Sequence, residues 1–161
     1  MKIIRIITTV LLLAFSSGLI FSQGVGIGHW RDHLPYNKSV AVAKMDKRVY
    51  CATPYDLFYF NTSDNSINRL SKINGLTDFG ISTIEYNKEL DILLVAYKNA
   101  NIDLIKKGNI INIPDIKRAN LFGNKTINRV LFIDQFAYLS CGFGIVVLDL
   151  DREEIKDTYY I

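Results

Sequence analysis

The sequence is poor in the side chains that most enzymes use for catalysis and metal binding. It contains two histidines, His29 and His33, and two cysteines, Cys51 and Cys141. No GxSxG, HExxH, CxxC or phosphate-loop pattern occurs anywhere in it. The sequence therefore lacks the common hydrolase, metalloenzyme and nucleotide-binding signatures. We predict a protein that is not an enzyme and that holds no metal and no cofactor.

The chain also lacks a strong excess of charge. It has 19 lysines and arginines against 16 acids, a formal net charge of +3. Nucleic-acid binding normally depends on a basic field or stripe, so that class is not favoured. After the N-terminus no apolar run is long enough to form a transmembrane helix.

The N-terminus has the pattern of a secretory signal peptide. Lys2 and Arg5 precede an apolar run over residues 6–15, and small residues follow it. We predict a signal peptide over residues 1–22 and an exported mature chain. A retained membrane anchor is the alternative, although the apolar run is short and is broken by hydroxyl residues and glycine.

Three stretches of the chain repeat one pattern, a hydrophobic strand followed by a polar gap and a second strand. They cover residues 48–60, 92–105 and 136–148, and the aligned Ala52, Ala96 and Cys141 stand 44 and 45 residues apart. A strand-filled period of this length is typical of β-propeller blades. We predict an all-β fold, a partial β-propeller of about three four-stranded antiparallel blades.

The repeat also predicts the domain organisation. The blades are expected over about residues 40–80, 81–126 and 127–161, after a leader over residues 23–39 that either closes the ring as an outer strand or packs across the first blade. A closed propeller needs at least about four blades, so we expect a truncated set: either the chain is a fragment, or other material closes its ring. The first strand of each blade is the most continuously apolar, which predicts burial on both faces.

The two cysteines fall in the same strand of the first and third blades. A disulfide requires Cα atoms within about 7 Å of each other, and the second blade should stand between Cys51 and Cys141. We therefore predict two buried free thiols.

Four basic residues, Lys106, Lys107, Lys117 and Arg118, lie close together in the sequence. Ordinary surface charge is one interpretation of them. The functional interpretation is a patch for an anionic glycan or an acidic partner surface.

Several motifs resemble known propeller proteins. The run Asn74-Gly75-Leu76-Thr77-Asp78, followed by Ile81 and Ile84, is similar to the motif of two-component-regulator propeller repeats, in which the turn leads into the inner strand of the next blade. We expect Gly75 to permit the turn, Leu76 to lie between blades, and both isoleucines to enter the core. Together with residues 30–36, 56–60, 71–78 and 138–150, this motif makes the chain resemble the N-terminal part of the PorZ family of the type IX secretion system.

The resemblance implies two large β-propellers and a C-terminal sorting domain, at the outer-membrane surface, in a complex with the sortase PorU, the shuttle PorV and PorQ. The implied role is non-catalytic: to bind anionic lipopolysaccharide and present it to the sortase. No functional residue of the family is transferred to this sequence. The alternative is a periplasmic ligand-sensing propeller of a hybrid two-component regulator. A downstream sorting domain would favour the first, and a transmembrane helix with a kinase the second.

Overall fold

The computed structural model describes residues 38–161, which consist almost entirely of β-strands. Twelve strands form three four-stranded antiparallel sheets, and within each sheet every strand pairs with the next one along the chain. This confirms the prediction of an all-β partial propeller with three blades. In chain order the strands are β1 (Ala41–Met45), β2 (Arg48–Ala52), β3 (Leu57–Asn61), β4 (Ser66–Leu70), β5 (Ile81–Asn87), β6 (Ile92–Tyr97), β7 (Ile102–Lys106), β8 (Asn109–Ile113), β9 (Ile127–Ile133), β10 (Phe136–Cys141), β11 (Gly144–Asp149) and β12 (Glu154–Tyr160).

The predicted signal peptide over residues 1–22 lies outside the described residues. So does the leader up to residue 37, with both histidines and the suggested ring-closing strand. These predictions stay predictions.

The three sheets stack through their first strands, because β1 contacts β5 and β5 contacts β9. This is the blade arrangement of a propeller, in which a sheet buries its faces only against its neighbours. The buried side chains form two clusters, one between the first and second blades and one between the second and third.

The middle blade supplies both clusters from a single strand. All six residues of β6 are buried. Leu93, Val95 and Tyr97 belong to the cluster shared with the first blade. Ile92, Leu94 and Ala96 belong to the cluster shared with the third blade. Successive side chains of a strand point to opposite faces, so a continuously apolar strand serves two interfaces.

The first strands are not the most deeply buried ones, which corrects the expectation from their apolar composition. In β9 only Ile127 is fully buried, and Leu131 and Ile133 are 60% and 48% exposed. The reason is position: one face of the third sheet packs on the second blade, and its other face contacts no other described sheet.

One short helix interrupts the all-β pattern. It is α1 (Asp115–Arg118), with an acid in its first turn, two bases in its last, and Ile116 buried beneath it. Such placement of charge suits the helix dipole. The helix lies in the connection between the second and third blades.

Candidate functional site

The loops leave the blades at two opposite ends. We call one end the connection face, formed by residues 53–56, 71–80, 98–101, 114–126 and 142–143. The opposite end is the turn face, formed by residues 46–47, 62–65, 88–91, 107–108, 134–135 and 150–153.

The connection between the first and second blades is built on a tight turn. The Asn74 side chain accepts a hydrogen bond from the Ser71 N–H at 2.5 Å and donates one to the Arg69 carbonyl at 2.9 Å. Gly75 has φ +147°, a region that favours glycine. Leu76 is 3% exposed and joins the cluster between the two blades. This agrees with the turn expected from the sequence motif, and Ile81 and Ile84 enter the same cluster.

The turn is fastened to the second blade through Asp103, a fully buried acid in β7. The Thr77 N–H and hydroxyl donate to its two carboxylate oxygens at 2.9 and 2.6 Å. The Tyr97 hydroxyl donates at 2.6 Å and the Asn112 amide at 2.9 Å. Burial and the bond to this carboxylate raise the pKa of Tyr97. Four donors on one carboxylate satisfy its lone pairs and make its burial tolerable.

The next residue, Asp78, links the turn to α1. Lys117 Nζ lies 2.6 Å from Asp78 Oδ2, and the Asn99 amide donates to the same oxygen at 2.7 Å. Burial alone would raise the pKa of Asp78, but the bonds from Lys117, Asn99 and the Phe79 N–H lower it to about 2. The ion pair therefore joins the two long connections of the connection face.

This ion pair predicts a pH-dependent contribution to stability. The pKa of Asp78 falls from 3.8 to about 2 on folding, so its contribution is complete above pH 3.8 and is lost as the pH falls toward 2. We expect the free energy of unfolding to fall by about 1–2 kcal/mol over that range, after allowance for solvent screening around Lys117. Denaturant titrations at several pH values measure it.

The matched variants are Asp78→Asn and Asp115→Asn, the second an exposed acid on α1. Asp78→Asn should lose the decline between pH 3.8 and 2, whereas Asp115→Asn should keep it. Equal pH profiles for the parent and Asp78→Asn would contradict this role.

Large exposed apolar side chains lie on the same connection face. Phe122 is 94% exposed, Ile73 57%, Phe79 53% and Tyr55 47%. Lys72 Nζ lies 5.0 Å from the centre of the Phe79 ring. Aromatic and cationic groups are thus interleaved on this end of the blades.

The two ends of the blades differ in charge. The connection face carries five lysines and arginines and three acids, and two of those acids, Asp56 and Asp78, are buried. The turn face carries seven acids and four bases. The exposed charge is therefore positive at the connection face and negative at the turn face.

The structure does not bring the four predicted basic residues into one patch. Lys107 lies in the turn before β8 and Lys106 precedes it, whereas Lys117 and Arg118 follow the other end of that strand. Five extended residues span about 17 Å, so the pairs lie on opposite faces. Lys107 instead lines a cleft of about 440 Å³ with Asp46, Asp91 and other turn residues of mixed charge. The basic residues on the same face as Lys117 and Arg118 are Lys72, Lys98 and Lys125.

Both cysteines are thiols in the structure. Cys51 lies in β2 of the first blade and Cys141 in β10 of the third. Cys141 is buried, and burial raises its pKa to about 11. Cys51 is only half-buried, which corrects the expectation of two buried thiols, and its Sγ donates to Ser39 Oγ at 3.1 Å.

Among residues 38–161, no three histidines, cysteines or acids come together as metal ligands. Over the same residues, no helix has the length and apolar character that crossing a bilayer requires.

The family model for the N-terminal β-propeller domain of PorZ, of the type IX secretion system, matches residues 49–161. The chain belongs to this family. PorZ of Porphyromonas gingivalis, described as an essential bacterial surface component of the type IX secretion system, is similar in structure with TM-score 0.71 and 31% identity. The alignment covers 76% of this chain and 17% of that one. No curated protein matches the sequence.

Other solved structures share the fold of this PorZ-family chain at lower identity. The extracellular domain of a putative hybrid two-component system from B. thetaiotaomicron matches with TM-score 0.65 and 13% identity, over 82% of this chain and 18% of that one. Hydrazine synthase of Kuenenia stuttgartiensis matches with TM-score 0.61 and 12% identity, over 86% and 39%. At such identities the similarity shows the fold alone.

Proposed function

We propose that this PorZ-family chain is part of a non-enzymatic component of the type IX secretion attachment complex at the outer-membrane surface. In this role it binds anionic lipopolysaccharide and presents it to the sortase PorU, in a complex that also holds PorV and PorQ. Family membership over residues 49–161 and the surface location stated for the P. gingivalis relative support the proposal.

The observation that carries the binding step is the positive connection face. Lys72, Lys98 and Arg118 are exposed there, Lys117 neutralises Asp78, and Asp115 is the one exposed acid of this face. Exposed aromatic side chains beside them offer faces on which sugar rings can stack. This end of the blades therefore offers an anionic polysaccharide complementary charge and aromatic rings on which to stack.

Lipopolysaccharide binding by the intact protein tests this assignment. Lys98→Gln combined with Arg118→Gln should weaken the affinity for purified lipopolysaccharide about tenfold, because each removes a charge-assisted contact. The dissociation constant is measured by calorimetry or biolayer interferometry at fixed ionic strength, and co-purification of PorU is scored on the same variants.

The matched control removes the same number of charges from the turn face, by Lys88→Gln with Lys107→Gln. It should leave the affinity within about twofold of the parent. Equal weakening by both double variants would show that net charge, and not the connection face, governs binding. Failure of the parent to bind lipopolysaccharide or PorU would overturn the proposed function.

The sensor alternative is supported here only by a fold similarity at 13% identity. No described residue favours it over the secretion role.

A further inference from the structure

The most exposed aromatic side chain between strands is at the tip of the loop after α1. Phe122 is 94% exposed. The residue before it, Leu121, is half-buried and packs on the cluster between the second and third blades. The residue after it, Gly123, has φ +95°. The chain is anchored on one side of Phe122 and turned sharply on the other, so the ring projects away from the protein.

The loop that presents Phe122 is held in place by its own polar contacts. Lys125 Nζ donates to the Lys117 carbonyl at 3.2 Å and to the Ala119 carbonyl. The Thr126 hydroxyl donates to the Lys98 carbonyl at 2.9 Å. These contacts therefore fix the loop, and with it the position of the Phe122 ring, before any ligand binds.

Cations and a second aromatic ring lie on the same surface. Arg118 and Lys98 are exposed, and each belongs to a segment that contacts the Phe122 loop. Phe79, which is 53% exposed, follows Asp78 directly, and the Asp78–Lys117 ion pair ties this segment to α1. The connection face therefore carries two exposed aromatic rings, Phe79 and Phe122, together with exposed cations and one exposed acid, Asp115.

We propose that the connection face docks on the anionic headgroup surface of a lipid bilayer, with the Phe122 ring entering the interface. Lysine and arginine near an anionic membrane each contribute about fivefold in binding, and projecting aromatic or apolar groups add the anchoring contact. A protein partner fits less well, because lysine is depleted in protein interfaces. The proposal goes beyond glycan presentation, since it needs no sugar, and it gives the blades a fixed orientation on the membrane.

Sedimentation of the intact protein with glycan-free vesicles tests this docking. We expect binding to phosphatidylcholine vesicles that contain phosphatidylglycerol, none to pure phosphatidylcholine, and release by salt. Phe122→Ser should weaken vesicle binding about tenfold, and Phe122→Trp should keep it, because tryptophan prefers the interface. Lys98→Gln should cost about fivefold, and Lys88→Gln on the turn face should cost nothing.

The outcomes separate this docking from lipopolysaccharide presentation. Binding to lipopolysaccharide without binding to glycan-free anionic vesicles overturns the docking and leaves the proposed function standing. Equal vesicle binding by the parent and Phe122→Ser also overturns it. Phe122 lies in solvent, so Phe122→Ser should fold as the parent does, which circular dichroism verifies.

Discussion

Replacing Asp103 with alanine is expected to lower the free energy of unfolding by about 3–5 kcal/mol, because it removes the acceptor of a buried network. The Thr77 hydroxyl and the Tyr97 hydroxyl each lie 2.6 Å from this carboxylate. Without it, the fully buried Tyr97 hydroxyl and the partly buried Thr77 hydroxyl lose their acceptor. Urea denaturation monitored by circular dichroism measures the loss, and Asp115→Ala, at an exposed acid, is the control.

A double-mutant cycle locates the effect. Thr77→Val removes one donor and should cost about 1–2 kcal/mol alone. In the Asp103→Ala background it should cost much less, because the acceptor is already gone. Strict additivity of the two substitutions would mean that the turn of the sequence motif is not held by this carboxylate.

Gly144→Ala is expected to destabilise the third blade by about 3 kcal/mol or more, because it combines backbone strain with a clash. Gly144 has φ +148°, and an added Cβ would lie 2.0 Å from the Tyr159 carbonyl oxygen. That oxygen belongs to the neighbouring strand β12, so β11 and β12 must separate. Thermal or denaturant unfolding measures the change.

Substitutions at two other glycines separate backbone strain from steric clash. Gly108→Ala meets strain at φ +82° with nothing within 4 Å of the new Cβ, and it should cost about 1–2 kcal/mol. Gly142→Ala has no strained φ but brings its Cβ to 2.5 Å from the Asn124 carbonyl oxygen. If Gly144→Ala lowered the free energy of unfolding no more than Gly108→Ala, the structure would be wrong about the close approach of β12 to Gly144.

The fold was predictable because the hydrophobic pattern is local and repeated. The three repeated stretches, residues 48–60, 92–105 and 136–148, supply the second and third strands of the three sheets. Polar or glycine residues border most of these strands, and such turn residues are the strongest sequence signals for strand ends. The depth of burial was less predictable, because it depends on which neighbouring sheet covers each face.

The polar site was not predictable from spacing. Asp78 and Lys117 lie 39 residues apart, and Thr77 and Asp103 lie 26 apart. Such pairs form only when two loops meet. One signal existed for Asp103: an acid interrupts an apolar strand, and a buried acid requires partners. The prediction of one basic patch had the opposite problem. Lys107 and Lys117 are near in sequence, but the length of β8 separates them in the structure.

The alternation of β6 has a consequence for how the blades hold together. In stacked repeats, stability is the sum of each unit's own folding and the coupling between neighbours. Leu93 enters only one of these couplings and Leu94 only the other. Adjacent residues of one strand therefore control two separate contacts. A substitution at one of them can change the contact with one neighbouring blade and leave the contact with the other unchanged.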